Sequence, residues 1–419
     1  MKLLILVSVL SSPLFAQAPP SARSLDLAES YRLALLRSER VAQSGETYAE
    51  MLAKADELRS NILPRVSLMG SEALQQVPAG TAGLFHGNNE QGWLALHQPL
   101  FSGLREFLAY RAAKDIGRSS ELLLERAKHL LYQDVGRAYL DLLAAQDEIA
   151  IRQAVVAITE GRVKELREFF RVGRARSSEL LAVESLHAQN LAALETSRAQ
   201  EMVAQFKLGF LTGLEETLVP VPVEASGQIP PLESVLAKAR LRPDVESRRA
   251  DLEAAELAVK VVSRRRWPAI SFDTNYYFQR PAGASHDVKW DASIMGSLPL
   301  YTGGEIGSQV RQKEAQMRAK RLALAEGERI AELEVKSAHR DLFSASLIVA
   351  ALENAAKLAE DNAKAQAEDY RLGQVTNLDV LGSLNSLQQA RLQLDTARLD
   401  AVWSRVRLET AAGSPGVLP

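Results

Sequence analysis

Six histidines are the side chains of this 419-residue chain best suited to ligate a metal or pass a proton: His86, His97, His129, His187, His286 and His339. None stands at the H-x-H or H-E-x-x-H spacing that puts two imidazoles on one site, so no zinc centre follows. The six methionines are scattered, which leaves a soft-metal relay without ligands. Cysteine is absent, which removes thiolate chemistry, disulfides and a lipid-bearing thiol. No G-x-x-x-x-G-K-[ST] loop is present to cradle a nucleotide phosphate. The carboxylates are spread over helix faces rather than paired for acid–base work. The expectation is a protein that is not an enzyme, carries no cofactor or metal, and draws any energy it needs from partners.

Charge placed by repetition is the chemistry that remains. Residues 98–105 read QPLFSGLR, residues 298–305 read LPLYTGGE, and the register of 200 persists for about a hundred positions without an insertion, as expected of two copies of one structural unit. The same register places Glu179 opposite Asp379. In a symmetric assembly these acids would form rings that favour cations. The plainer reading is a first-turn carboxylate held by the helix dipole, and Glu179 leans that way.

Proline marks the elements that must position these groups. None occurs between Pro99 and Pro220 or between Pro299 and Pro415. Apolar residues recur at helical spacing over 102–171 (Leu131, Val135, Ala138, Leu142, then Val155, Ile158, Val163, Leu166) and over 304–371. Each pattern predicts one very long helix that must lie alongside others. The long helices end at Phe170-Arg171-Val172-Gly173 and Tyr370-Arg371-Leu372-Gly373, where glycine supplies the left-handed stop. Return helices are predicted at 177–212 and 377–411. Upstream, Ile270, Phe272, Thr274, Tyr276 and Phe278 alternate with polar residues, as do Trp290, Ala292, Ile294 and Gly296, and this period of two predicts strands. Val66, Leu68, Leu94 and Leu96 match more weakly in the first unit. Helix pairs at about 25–62 and 232–266 precede the strands.

The predicted organisation is a signal peptide over 1–18, a first repeat over 19–212, a linker over 213–231, a second repeat over 232–413 and a tail over 414–419. The signal is read from Lys2, the apolar run Leu3–Leu10 and Ala16-Gln17-Ala18. No other stretch is long and apolar enough for a transmembrane helix, which leaves a β-barrel as a route into a membrane. The chain has 50 basic and 52 acidic side chains, a net charge of -2, and no basic arm, so nucleic acid is not an expected partner. Four strands cannot close a barrel, because such barrels begin at about eight. Three chains would pool twelve and two would pool eight.

The order of elements, the doubled P-L-[Phe/Tyr]-[Ser/Thr]-Gly at 99–103 and 299–303, Arg242-Pro243-Asp244 and the doubled glycine tips together resemble the TolC-like outer-membrane factor family, over about residues 25–413. The resemblance implies a mainly α fold with a small β part, assembled as a homotrimer with a twelve-stranded barrel in the outer membrane and a twelve-helix tunnel in the periplasm. It implies the exit duct of a tripartite efflux system, with outer-membrane lipid, a periplasmic adaptor and an inner-membrane pump as partners. A duct for type I protein secretion or heavy-metal export shares that fold, and a poreless periplasmic coiled-coil scaffold is the reading from another class.

Under the resemblance, Val172, Gly173, Leu372 and Gly373 form the periplasmic tips where an adaptor docks, though the same residues also suit a simple hairpin turn. Glu179, Tyr370 and Asp379 belong to the gate, with Asp379 matching an acidic position of the family's constriction. Two other family positions fall on Val375 and Gly382, so part of the known latch is missing, and Arg174, Arg176 or Arg371 are candidate substitutes. Trp93, Trp267 and Trp290 are expected at the membrane interface, with Arg264, Arg265 and Arg266 just outside the hydrocarbon. A packed residue at a strand entrance is the alternative for Trp267. The gate is expected where the repeats differ, at Tyr370, Asp379 and Val375 against Phe170, Glu179 and Ala175.

Overall fold

A computed structural model describes residues 23–76, 88–223, 228–281 and 286–414. The expected signal peptide, His86 with the rest of residues 77–87, and nearly all of the tail lie outside the described residues. The elements run β1 (Arg23–Leu25), α1 (Leu27–Arg37), α2 (Glu39–Ser60), β2 (Arg65–Leu74), β3 (Asn88–Phe101), α3 (Arg105–Arg171), α4 (Ser177–Thr212) and β4 (Leu218–Pro220). There follow α5 (Leu232–Ala239), α6 (Pro243–Ser263), a 3-10 turn at Arg264–Arg266, β5 (Ala269–Gln279), β6 (Trp290–Ser297), α7 (Glu305–Arg371) and α8 (Asn377–Ala411). The fold is mainly α with a small antiparallel β part.

Local chemistry sets each boundary. Asp26 opens α1 by accepting from the Glu29 amide, and Ser38 ends α1 and opens α2 by accepting from the Val41 amide. Pro243 stands in the first turn of α6, where its missing N–H is harmless. The helices α3 and α7 each hold 67 residues, about 100 Å at about 1.5 Å per residue. Both start from two consecutive left-handed residues, Gly103 and Leu104 in one repeat and Gly303 and Gly304 in the other, which swing the chain from strand into helix. Gly103 is doubly required: its φ is +70°, and an added Cβ would sit 3.1 Å from the Arg264 carbonyl oxygen and 3.0 Å from the Trp267 Cβ.

The four long strands form one antiparallel sheet in the order β2-β3-β5-β6. A second sheet, which the sequence pattern does not show, pairs β1 with β4 in parallel, Arg23 opposite Leu218 and Leu25 opposite Pro220. Tyr139 of α3 donates from its hydroxyl to the Leu25 carbonyl (3.0 Å) and the Val221 carbonyl (2.7 Å). Gln205 of α4 brackets Leu218, accepting from its N–H and donating to its C=O. Part of the stretch read as a linker is thus tied into the core formed by Leu25, Val135, Tyr139, Leu142, Leu208 and Val402.

Arg242, between α5 and α6, is the most deeply buried charge. It donates to both oxygens of Asp244 (2.6 and 2.8 Å), to Glu334 of α7 and to the Ala411 carbonyl at the end of α8. Arg126 of α3 donates to the neighbouring Thr410 carbonyl at 2.9 Å. Two guanidinium groups thus donate to carbonyls of the last turn of α8, where the helix dipole favours cations. Burial alone would raise the Asp244 carboxyl, but hydrogen bonds and charge from Arg242, backed by Arg126, hold it below the ordinary carboxylate value. Removing one partner of such a cluster strands the others, so Arg242→Ala is expected to cost about 3–5 kcal/mol in urea unfolding, whereas Arg167→Ala, at an exposed pair with Glu184, should change little. Because the folded Asp244 is depressed, its contribution is present above the ordinary carboxylate value and disappears as pH falls below it. The wild type should therefore lose more stability than Arg242→Ala on acidification.

Candidate functional site: a two-faced sheet and a doubled helical tip

Register sorts the sheet's side chains onto two faces. Val66 opposes Leu96, Leu68 opposes Leu94, Leu94 opposes Tyr276, Tyr276 opposes Trp290, and Phe272 opposes Ile294. Opposed residues in antiparallel strands share a face, so one face is aliphatic and aromatic. The other carries Arg65, His97 and Asp273 in one row and Ser67, Asn275 and Asp291 in another. His97 Nδ1 lies 2.6 Å from Asp273, and Ser271 donates to the same carboxylate at 2.7 Å.

The three tryptophans expected together are separated by this geometry. Trp290 is exposed on the apolar face. Trp93 lies on the polar face, opposite Met69 and Tyr277, with its ring 6.1 Å from that of Tyr277. Simple alternation puts Trp93 there, beside the apolar-face Leu94, and the register shift at Gly92/Trp93 places its extra residue, Phe278, in β5. Trp267 precedes β5 and meets Phe101 at 6.3 Å, over the turn at Gly103. It stands at the strand entrance and is 56% exposed.

At the other end of the long helices the tips close in the same way. The N–H of Gly173 donates to Phe170 and that of Arg174 to Phe169; the N–H of Gly373 donates to Tyr370 and that of Gln374 to Asp369. This six-to-one bond with an inner five-to-two bond is a Schellman stop, with φ of +75° at Gly173 and +77° at Gly373. Val172 and Leu372 beside the glycines are exposed. Glu179 occupies the third position of α4, beyond Arg176, which caps without a side-chain bond. Asp379 occupies the same position of α8 and accepts from the Thr376 N–H (2.8 Å) and hydroxyl (2.6 Å), closing a capping box. These bonds hold the Asp379 carboxyl below its ordinary value.

Tyr370 meets none of the three candidate arginines. Arg371 pairs with Glu368 at 3.4 Å, and Arg174 and Arg176 are exposed. Its partner is Arg162 of α3, whose guanidinium carbon stands 4.1 Å from the ring centre. The missed signal was a cation on an otherwise buried stripe, Thr159, Arg162 and Leu166, at spacings of three and four.

Arg162 stands on a seam along which α3 and α8 run antiparallel. From the membrane-proximal end, Arg126 donates to Thr410, Val406 packs on Gly136, and Arg137 lies 5.5 Å from the Trp403 ring. Farther down, burial, the charge of Asp147 and then that of Glu148 push Asp395 up to about 6 against the pull of Arg398. The raised value means the folded state is favoured with this carboxyl protonated, an advantage complete below about 3.8 and lost as pH rises through about 6. Asp395→Asn is accordingly expected to stabilise the protein at pH 8 by about 1 kcal/mol after allowing for screening at this half-buried site, with no gain at pH 4. Thermal unfolding at the two pH values checks both.

The sequence profile of the outer membrane efflux protein family matches residues 236–414. The outer membrane efflux protein BepC of Brucella suis is 26% identical over 328 residues, 76% of this chain and 71% of its own. The outer membrane protein TolC of Escherichia coli is 23% identical over 415 residues, 93% of this chain and 82% of its own. The crystal structure of CusC, described for its folding and transmembrane channel formation, matches with a TM-score of 0.84 at 16% identity, covering 93% of this chain and 92% of that one. The fold of these outer-membrane channels is thus matched over nearly the whole chain, and its second repeat carries the profile of the outer membrane efflux protein family.

Proposed function

We propose that the chain is one stave-set of a homotrimeric outer-membrane exit duct, through which a tripartite system expels small molecules. The supporting observation is that a single chain is incomplete at places related by its own repeat. In α8, Val406 and Thr410 are 0% and 2% exposed against α3. The matching residues of α4, Phe206 and Phe210, are 69% and 78% exposed. Uncovered aromatics of this size mark an interface, and by the repeat their cover is α7 of another copy, as α3 covers α8. The sheet repeats the point: β2 and β6 are both edges, and in hydrocarbon an open edge is intolerable.

In this assembly the face bearing Leu68, Tyr276, Trp290 and Ile294 meets lipid, and the face bearing Arg65, His97, Asp273 and Asp291 lines the lumen. The adaptor docks at the exposed Val172-Gly173 and Leu372-Gly373 tips, and the energy comes from an inner-membrane pump. Small-molecule efflux is preferred because BepC is an efflux protein by name and spans most of this chain.

Fractionation is the primary test: an outer-membrane species that runs as a heat-modifiable trimer supports the duct, and a soluble periplasmic monomer overturns it. Phe206→Asp together with Phe210→Asp should abolish the trimer and leave the α3–α4 hairpin helical by circular dichroism. Gly303→Ala separates the ring from a lone chain more finely. Nothing in one chain lies within 4 Å of a Cβ added at Gly303, unlike Gly103. The ring places the strand entrance of the next copy there, so Gly303→Ala should impair assembly as severely as Gly103→Ala. At the tip, Asp379→Ala should lower cation preference in planar bilayers while Thr376→Ala, which removes only the cap, should not. Equal behaviour of the two variants would reduce Asp379 to a capping residue.

A further inference from the structure

Arg162 makes a connection that the repeat does not duplicate. Its side chain is 11% exposed. Beyond its stack on Tyr370, its Nε and Nη2 donate to Asn377 Oδ1 at 3.0 and 2.8 Å, and its Nη1 donates to Glu165. Asn377, the first residue of α8, is 4% exposed, so the guanidinium supplies a buried amide oxygen with its partner. One cation on the first hairpin therefore grips the second hairpin on both sides of its turn, at the last turn of α7 and the first of α8.

The 200 register shows what is special about this grip. Arg162 corresponds to Asn362, Tyr370 to Phe170 and Asn377 to Ser177. Where α7 would face the first-hairpin tip of a neighbouring copy, there is no cation to stack or donate. Packing around the grip is uneven. Below it, Val163, Leu166, Val183 and Leu381 form a small buried cluster. On the membrane side a cavity of 240 Å³ opens between α3 and α8, walled by Ile151, Val155, Ile158, Leu384 and Leu387. The start of α8 is therefore held by the Arg162 bonds to Asn377 and by Leu381 in the small cluster, with open space beside it on the membrane side.

We propose that Arg162 is a positioning residue that clasps the second hairpin's tip to the first within each chain and thereby sets how closed the periplasmic end of the duct stands. The inference rests on the duct reading above. Release of the clasp lets the beginning of α8 move into the space beside α3, while the seams between copies, which lack the cation, yield without it.

Single-channel recording of the purified, assembled full-length protein tests the clasp. Arg162→Met keeps the aliphatic bulk but loses the stack and the bonds, and should raise the open fraction on the order of tenfold or more. Arg162→Lys, with a charge but no planar fork, should fall between. Asn377→Asp replaces a neutral acceptor with a carboxylate, strengthens the bond and should lower the open fraction below that of wild type. The heat-modifiable oligomer should persist in all three. A conducting wild type with an unchanged Arg162→Met overturns the clasp and leaves the duct standing. If Arg162→Met does not assemble, Asn377→Asp decides alone, and an unchanged or raised open fraction overturns the proposal. No conductance from wild type or any variant removes the duct itself, and the clasp with it.

Discussion

A strand in hydrocarbon must give every backbone N–H and C=O a partner, and the sheet of this chain ends in two edges, β2 and β6, that its own strands cannot pair. Most of the architecture follows from that constraint. A sheet of four strands with one greasy and one polar face is stable only as a fraction of a closed wall. The helices below it are fractions of the same wall: α3 is flanked and α8 is covered, while the matching flank of α4 displays Phe206 and Phe210. In the proposed ring, duplication inside one chain makes half of the seams intramolecular and leaves the other half to association.

The internal seams show how such a wall is kept in register over about 100 Å. At the membrane-proximal end Arg126 and Arg242 donate to carbonyls of the last turn of α8, and Asp244 and Glu334 balance them. The short parallel pair β1–β4 fastens the beginning of the chain to the segment between the repeats through Tyr139 and Gln205. Midway the seam is weaker, since Asp147 and Asp395 repel. At the far end Arg162 meets Tyr370 and Asn377 beside the buried cluster of Val163, Leu166, Val183 and Leu381.

Much of this was legible in the residues. Proline-free stretches, the glycines at 173 and 373 and the period-two runs marked the long helices, their turns and the strands, because each is a local effect of backbone conformation or side-chain alternation. The tip residues Asp379 and Gly373 were found for the same reason. The face of Trp93 was legible too, because it adjoins Leu94 in an unbroken period of two. The pair β1–β4 escaped because three residues are too few for any period, and their partners lie almost two hundred positions apart. Arg162 escaped because a lone arginine on a helix reads as solvated until something is seen to cover it.

The sequence by itself determined the repeat, the types and order of the longer elements, and the lack of any cysteine thiolate, since these depend on residue identity and spacing within about a dozen positions. Tertiary structure alone decided that β1 pairs with β4, which carbonyls Arg126 and Arg242 meet, and that Tyr370 answers to Arg162 rather than to an arginine of its own hairpin. Those are pairings between segments brought together across the whole chain. Periodicity along one helix constrains which side of it is buried, but not which residue of another helix, many turns away, arrives there.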